Sequence, residues 1–454
     1  MTRSRRRQDK KPALNFELKA LANGPFIQLA ILLAIAMMFG GGGSSYAMRN
    51  LVVHLAALSI LAINRNAVVQ FFRSAPRPLV MLTCATFALP VLHLIPMPPE
   101  VWQALPGRDL VSQSLGLIGK EAVWYPLSLD RGRTFGAAFA LVAPFTILVL
   151  CNRLRNDQAD AVLLLIAGLA LFCLLLGAVQ MLTDRTIGDL FPGKSPGVLY
   201  GFFANRNTTA ALLVMATALL VPYLGAKAKS SRVAVLSGLV LLSLGTILTQ
   251  SRSGFMLLML VIVSSAASFV ISRNLKEQSA KPRRLLLFGL AVIVSVMALG
   301  TVLATNDRLR PTIERFADAE QGRPQIWADA MSSAERFWPL GGGMGTFDEV
   351  FQLDESFEYL VAARAGRAHN DYLEIAIEAG IFGIVLVAGW ISFVIIACLK
   401  SGRSNGAQRW VLLSLTVVAL QSMVDYPLRN VSMLCIVAAL IAYCFKSHKA
   451  TEPA

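Results

Sequence analysis

The sequence predicts an all-α fold, a polytopic membrane helix bundle of about 12 transmembrane helices with one large helical loop between spans nine and ten. Three observations carry that prediction. The 454 residues are 55% hydrophobic and only 15% charged, with a mean hydropathy of +0.59. Soluble domains carry about 25% charge, so the composition argues against an ordinary soluble enzyme. Disorder is argued against as well, because there is ample apolar surface to bury. The apolar residues fall into continuous runs close to the ~20 residues that a spanning helix needs. Their length and continuity suit helices rather than the alternating strands of a barrel. The basic residues, finally, concentrate in alternate connections, as membrane orientation requires.

The apolar segments run over residues 26–43, 48–64, 78–96, 134–151, 159–181, 207–225, 233–249, 254–271, 285–304, 373–399, 409–424 and 430–446. Ahead of the first lies a basic stretch, residues 1–25, with Arg3, Arg5, Arg6, Arg7, Lys10 and Lys11. No A-x-A site closes the run that follows, so it reads as a retained span rather than a cleaved signal. With this end in the cytoplasm, most of the 42 Lys and Arg fall inside and most of the 27 acids fall outside. The net charge of +15 is therefore a topology signal. No nucleic-acid-binding signature accompanies it, so no nucleic-acid partner is expected. Both termini, including a tail at 447–454, are expected in the cytoplasm. Residues 26–304 carry spans one to nine, with an outer loop at 97–133; residues 305–372 form the large outer loop; residues 373–446 carry the last three spans.

The large loop has helical pattern of its own. Pro311 sits near the first turn of a segment over 307–319. A second helix starts at Pro324, since proline suits a first turn, and Ile326, Trp327, Ala330, Met331, Ala334 and Phe337 recur at helical spacing. Pro339 ends it. Gly341-Gly342-Gly343-Met344-Gly345 then reads as a tight turn and lacks the spacing of a P-loop.

The six cysteines form no CxxC or Cys/His cluster, so neither a zinc site nor a disulfide framework is read. No H-E-x-x-H, no acidic D-x-D and no G-x-S-x-G is present, and no metal or cofactor is expected. The informative residues are outer-face arginines placed where the positive end of a helix dipole disfavours them. Arg206, Arg252 and Arg429 stand at the starts of spans six, eight and twelve, and Arg323 stands beside the second loop helix. Arginine together with free helix N–H groups makes an anion site. As ordinary structure they would pair with acids or headgroups, Arg429 with Asp425 four residues before it. Of the four histidines, His54 and His93 lie within spans and read as core residues, and His448 lies in the tail. His369 lies in a polar outer stretch, where imidazole can transfer protons near neutral pH. Asp371, Glu374 and Glu378 follow on one helical face; as ordinary structure, Asp371 would cap that helix.

At these residues the sequence resembles the O-antigen ligase and polysaccharide polymerase superfamily of bacterial membrane glycosyltransferases. Three blocks carry the resemblance. They are Thr249-Gln250-Ser251-Arg252-Ser253-Gly254; Gly322-Arg323-Pro324-Gln325-Ile326-Trp327 with Pro339 to Phe347; and Ala368-His369-Asn370-Asp371-Tyr372-Leu373-Glu374 with Glu378-Ala379-Gly380 and Gly383. Val424-Asp425-Tyr426-Pro427-Leu428-Arg429 fits the family's last loop. Together these span residues 200–430; the first 200 match in topology alone.

The resemblance implies a periplasmic loop domain on a multi-pass protein of the bacterial inner membrane, with its active site facing the periplasm. It implies a glycan donor on undecaprenyl pyrophosphate and a sugar acceptor, either lipid A core or a growing polysaccharide, with membrane lipids as surroundings. Catalytic roles are implied for His369, which would orient or deprotonate the acceptor, and for Arg252 and Arg323, which would bind pyrophosphate. Arg206, Arg429, Asp371 and Glu374 are implied as weaker substrate-binding positions. Transfer is implied to be metal-independent and free of cofactor. Ligase, polymerase and protein O-oligosaccharyltransferase remain open as acceptor classes. The apolar outer loop at 97–133, with Trp102, Leu105, Trp124 and Tyr125, is expected to help shape the acceptor pocket. A transporter of the major-facilitator kind would need a long central cytoplasmic loop, whereas the connection at 226–232 is short; a flippase for lipid-linked sugars would share the ligand; an anchoring role would leave the outer arginines and His369 unexplained.

Overall fold

The computed structural model describes residues 24–225, 228–274, 323–359, 366–400 and 406–449, with the backbone alone described at 270–274, 359, 400 and 446–449. The expected span at 285–304 and the loop helix at 307–319 lie outside these residues. What is described is helical apart from one two-stranded sheet. Each of the other expected spans corresponds to a helix: α1 (Gly24–Phe39), α2 (Ala47–Ile63), α4 (Arg77–His93), α8 (Val142–Arg153), α9 (Asn156–Leu182), α10 (Arg206–Leu220), α11 (Lys229–Leu248), α12 (Arg252–Asn274), α15 (Asp371–Lys400), α16 (Gly406–Gln421) and α17 (Val431–Lys449). Among the described residues, seven helical stretches are long and apolar enough to cross a membrane, and α1, α4 and most of α17 are shorter apolar helices. These helices leave large apolar side chains such as Leu175, Val240 and Val385 on their outside, as a lipid-facing surface requires.

Three differences from the sequence expectation have physical reasons. The connection after α2 forms an amphipathic helix, α3 (Arg65–Ser74), because Ala67 and Phe71 fall on one buried face. The fourth span begins early, in α7 (Arg131–Ala140), and breaks before α8, where Pro144 sits in the first turn. Asp130 caps α7 by accepting from the Arg133 N–H at 2.9 Å. α16, expected as a span, is among neither the seven long apolar helices nor the shorter ones; half of it is buried, because it packs on α10.

α10 is the centre of the bundle. Every residue from Thr208 to Leu220 is buried, and it packs against α9, α11, α12 and α16. α17 is the second hub, packed on α1, α8, α9, α15 and α16. The glycine-permitted contact of α12 with α10 is close: a Cβ on Gly254 would lie 2.4 Å from that of Ala210.

The loop at 97–133 is tied down by the sheet, in which β1 (Pro96–Met97) pairs antiparallel with β2 (Tyr125–Pro126). Its helices are α5 (Pro99–Trp102) and α6 (Asp109–Gly116). Trp102 is wholly buried and donates to the Val123 carbonyl at 2.8 Å, whereas Trp124 is exposed. Arg108 is buried over the Phe337 ring, and its desolvation lowers the guanidinium to about 10.

In the large loop, α13 (Arg323–Phe337) begins one residue before the expected proline, and α14 (Phe347–Phe351) follows the glycine run. Ala330, Ala334 and Phe337 of α13 join Phe347, Val350, Phe351, Ala368 and Ile377 in a second small core. Met331, expected on the same stripe, is exposed.

The glycine run is more than a turn. α15 is broken at Gly380, whose φ is 52°. The break frees carbonyls of the outer helical piece: Gly342 N–H donates to Ile377 O at 2.9 Å and Gly343 N–H to Glu378 O at 2.8 Å. Ile381 N–H donates back to Pro339 O at 2.9 Å. Two backbones approach here without side chains between them. A Cβ on Gly380 would lie 1.9 Å from Pro339 O. Gly380→Ala is therefore expected to destabilise the protein by about 2–4 kcal/mol, through overpacking and an unfavourable positive φ. Thermal melting of the purified variant checks this; an unchanged melting temperature would contradict it.

Candidate functional site

The site grows from the meeting of three chain ends: the start of α10, the start of α15 and the turn Ser422–Asn430 between α16 and α17. Asn205 caps α10, its side chain accepting from the Asn207 N–H at 2.9 Å. That geometry turns both amides toward Asp425. Asn205 Nδ2 donates to each carboxylate oxygen of Asp425 at 3.1 Å, and Asn207 Nδ2 donates to Oδ2. Asp425 is wholly buried.

His369 completes this group. Its Nδ1 lies 3.2 Å from Asp425 Oδ1, and its ring meets Tyr426 edge-on at 5.0 Å. The residue adopts φ 51°, a conformation that L residues take only when surroundings hold them there. Burial drives the Asp425 carboxyl upward, but the hydrogen bond and charge of His369, the Arg323 charge and the Asn207 hydrogen bond outweigh it. The group therefore sits below the usual carboxylate range. An ionised Asp425 accepts from the Nδ1–H of His369, which leaves Nε2 as the ring nitrogen it does not engage. Burial pushes the neighbouring Tyr426 hydroxyl up to about 12, so it stays protonated beside this carboxylate.

Behind this pair lies a frame of buried acids. Arg429 Nη1 meets Glu378 Oε2 at 2.8 Å, and its Nε meets Glu374 Oε2 at 3.1 Å and Asp371 Oδ1 at 3.5 Å. The three acids share one helical face, as their spacing predicts. Arg429 thus pairs with these and not with Asp425, as proximity in sequence would have it. Burial works against its cation, but the three carboxylates prevail and hold the guanidinium more firmly protonated than usual. Arg367 adds a second cation at Glu374, 3.1 Å away, and the Ala368 N–H donates to the other oxygen of Glu374 at 3.0 Å. Asp371 accepts from Ser422 Oγ at 2.8 Å and from the Leu428 N–H at 3.2 Å. Its own N–H donates to Ser422 O and Asp425 O. The frame therefore clamps the His369 segment to the turn that carries Asp425. Among the described residues, no group of three or more His, Cys, Asp and Glu is disposed to hold a metal ion.

Each of the three candidate arginines begins a helix. Arg323 starts α13, and Trp327 one turn later donates to Ala368 O at 2.8 Å, which pins the helix beside His369. Arg206 is the first residue of α10, between the two asparagines on Asp425. Arg252 is the first residue of α12, reached through a turn in which Gln250 has φ 53° and Ser251 Oγ accepts from the Gly254 N–H at 3.1 Å. The contact of Gly254 with Ala210 sets this helix end against the first turns of α10. All three arginines and His369 are partly exposed. The histidines expected in the core are buried: His93 Nδ1 accepts from the Met344 N–H at 3.1 Å, whereas His54 Nδ1 has no hydrogen-bond partner among the described residues.

Sequence reasoning set Asp425 beside Arg429 and gave no role to Asn205 and Asn207 beyond flanking Arg206. The signal was present in part: a lone acid in a short outer turn, and paired amides at a helix start. Pairing across about 220 positions is not readable from spacing.

Residues 237–388 match the family model described as O-antigen ligase. The matched stretch contains Arg252, Arg323, His369, Asp371, Glu374 and Glu378, and it bears out the resemblance carried by the motif blocks. A search of the curated proteins returns no match.

Proposed function

We propose that this multi-pass O-antigen ligase-type protein moves a glycan from undecaprenyl pyrophosphate to an acceptor hydroxyl on the periplasmic face of the bacterial inner membrane. The observation that carries this reading is the pair of buried Asp425 and partly exposed His369, with Arg323 near enough for its charge to act on Asp425, Arg206 between the two asparagines that hold Asp425, and Arg252 at a helix end packed on the first turns of α10. His369 Nε2 takes the acceptor's hydroxyl proton while its oxygen bonds to the anomeric carbon of the donor sugar. The bond from that carbon to the pyrophosphate oxygen breaks, and the electron pair leaves with the pyrophosphate. Arg252 and Arg323 hold the charge that develops there, bidentate guanidinium donors being suited to phosphate oxygens. Asp425 stays ionised and steadies the imidazolium that forms. Arg206, nearest the paired asparagines, contacts the same anion. Arg429, Asp371 and Glu374 form the frame rather than touch phosphate, because each is already engaged by buried partners.

The acceptor is a sugar hydroxyl, on lipid A core or on a growing polysaccharide. The loop at 97–133 borders its pocket, with exposed Trp124 rather than buried Trp102 as the contact side chain.

Removing one preorganised donor to a developing charge lowers rate by about 10²–10³. Arg252→Ala is expected to show a loss of that size with a lipid-linked glycan donor and purified protein, while inserting and melting as the parent does. Full activity in that variant would overturn the pyrophosphate assignment.

A further inference from the structure

The loop between α9 and α10 holds cations that glycan transfer does not use. Arg185 is the most enclosed, with its side chain 8% exposed. It is ion-paired with Asp189, and its Nη2 also donates to the Phe191 carbonyl at 3.4 Å. The guanidinium lies 5.1 Å from the centroid of the Tyr200 ring. Its Nε and Nη1 are buried and have no hydrogen-bond partner among the described residues. Such donors are rarely left empty, because their desolvation is not compensated.

Two more cations stand beside it. Lys194, half-buried on the same loop, has its ammonium depressed by burial and by the Arg185 charge, against the pull of Asp189. Arg49 of α2 donates to Leu190 O at 2.7 Å and lies 5.1 Å over the Phe191 ring. The cluster thus gathers like charges around the one carboxylate that Arg185 engages. It also adjoins the transfer site. The same loop ends at Asn205, the Ala204 N–H donates to Gly41 O at 3.1 Å, and Arg367 of the His369 segment donates to Ser44 Oγ at 2.5 Å. Tyr46, two residues on, packs edge-on against Phe191 at 4.8 Å.

We propose that Arg185, Lys194 and Arg49 form a second anion subsite, separate from Arg252 and Arg323, which takes a phosphate group. That group belongs either to a phosphorylated saccharide or to a phospholipid headgroup. The subsite itself is independent of the transferase reading; only the saccharide source rests on it. Guanidinium forks bind phosphate oxygens bidentately, and an ammonium adds a point charge.

Lys194 is its own reporter. An anion beside it raises its affinity for a proton and covers it, so acylation slows. The test uses the full chain in a neutral maltoside detergent, a limiting acetylating reagent and peptide mass spectrometry, with inorganic phosphate as the probe. Exposed Lys120 serves as the control. Protection should grow as 1 + [L]/Kd, about tenfold at ten times Kd. It should vanish in Arg185→Gln and weaken in Arg49→Gln, which spares the buried guanidinium should the first variant fail to fold.

The chain in phosphatidylcholine vesicles, with and without phosphatidylglycerol, then separates the sources. Protection by free phosphate but not by phosphatidylglycerol assigns a saccharide phosphate, and the reverse assigns a headgroup. Equal slowing at Lys120 and Lys194, no slowing by either probe, or protection that survives both substitutions would overturn the subsite. Because no glycan is transferred in this assay, its failure and the failure of the transferase reading are distinguishable.

Discussion

Asp425→Asn is expected to lower glycan transfer by about 10²–10⁴ while leaving the helices packed. An asparagine there, with its one oxygen at the Oδ2 position, still accepts from Asn205 and Asn207, while the bonds that Asn205 and the Tyr426 N–H make to Oδ1 are lost. What changes is the face shown to His369. The neutral amide no longer fixes the Nδ1–H tautomer, and where its NH₂ faces Nδ1 the ring proton moves to Nε2. The imidazole then cannot take a proton from the acceptor, nor is an imidazolium steadied by a charge. A transfer assay alongside thermal melting separates this from misfolding. Parent-level transfer in a folded Asp425→Asn protein would mean that the pair is structural.

The second large effect is on stability. Arg429→Met removes the cation from among Asp371, Glu374 and Glu378, two of which have no exposed surface. Deleting one partner of a buried ion pair costs about 3–5 kcal/mol, because the remaining charge stays desolvated. The sign with pH follows. Burial already pushes the Asp371 carboxyl up to about 7 against the pull of Arg429; without that cation it binds its proton more readily still when folded than when unfolded, so acid favours the folded form. The deficit against the parent should therefore be largest above the raised Asp371 value of about 7 and shrink as pH falls through it. Melting curves of both proteins over that range check it. A deficit that does not depend on pH would show that Arg429 acts through packing.

The sequence was most legible where one physical signal acts locally. Runs of apolar residues placed helices within a few residues of where they lie, because hydrogen bonding in lipid leaves the backbone little alternative. Pro324 marked the start of the loop helix for the same kind of local reason. Legibility fell where the outcome depends on partners distant in the chain. Nothing local told that the run from Gly341 to Gly345 would dock on a helix broken at Gly380. Helical spacing put Asp371, Glu374 and Glu378 on one face, yet it could not name Arg429 as their common partner. The four-residue separation of Asp425 and Arg429 suggests a pairing that the turn forbids, since Asp425 faces His369 and the asparagines. Burial of α16 was hidden because the apolar surface that meets lipid and the surface that meets α10 have the same composition.

The family match covers residues 237–388, whereas the centre described here draws Asn205, Asn207 and Asp425 from outside that stretch. The carboxylate that orients His369 and the amides that hold it are thus supplied by flanking segments. The proposed transfer therefore depends on the turn at Ser422–Asn430 as well as on the matched motifs.

The most direct test is a single-turnover reaction of purified His369→Ala with a lipid-linked glycan and its acceptor. Without the imidazole, donor should bind as it does to the parent while transfer slows by about 10²–10⁴. Parent-rate transfer by that variant would contradict the assignment of His369 as the base.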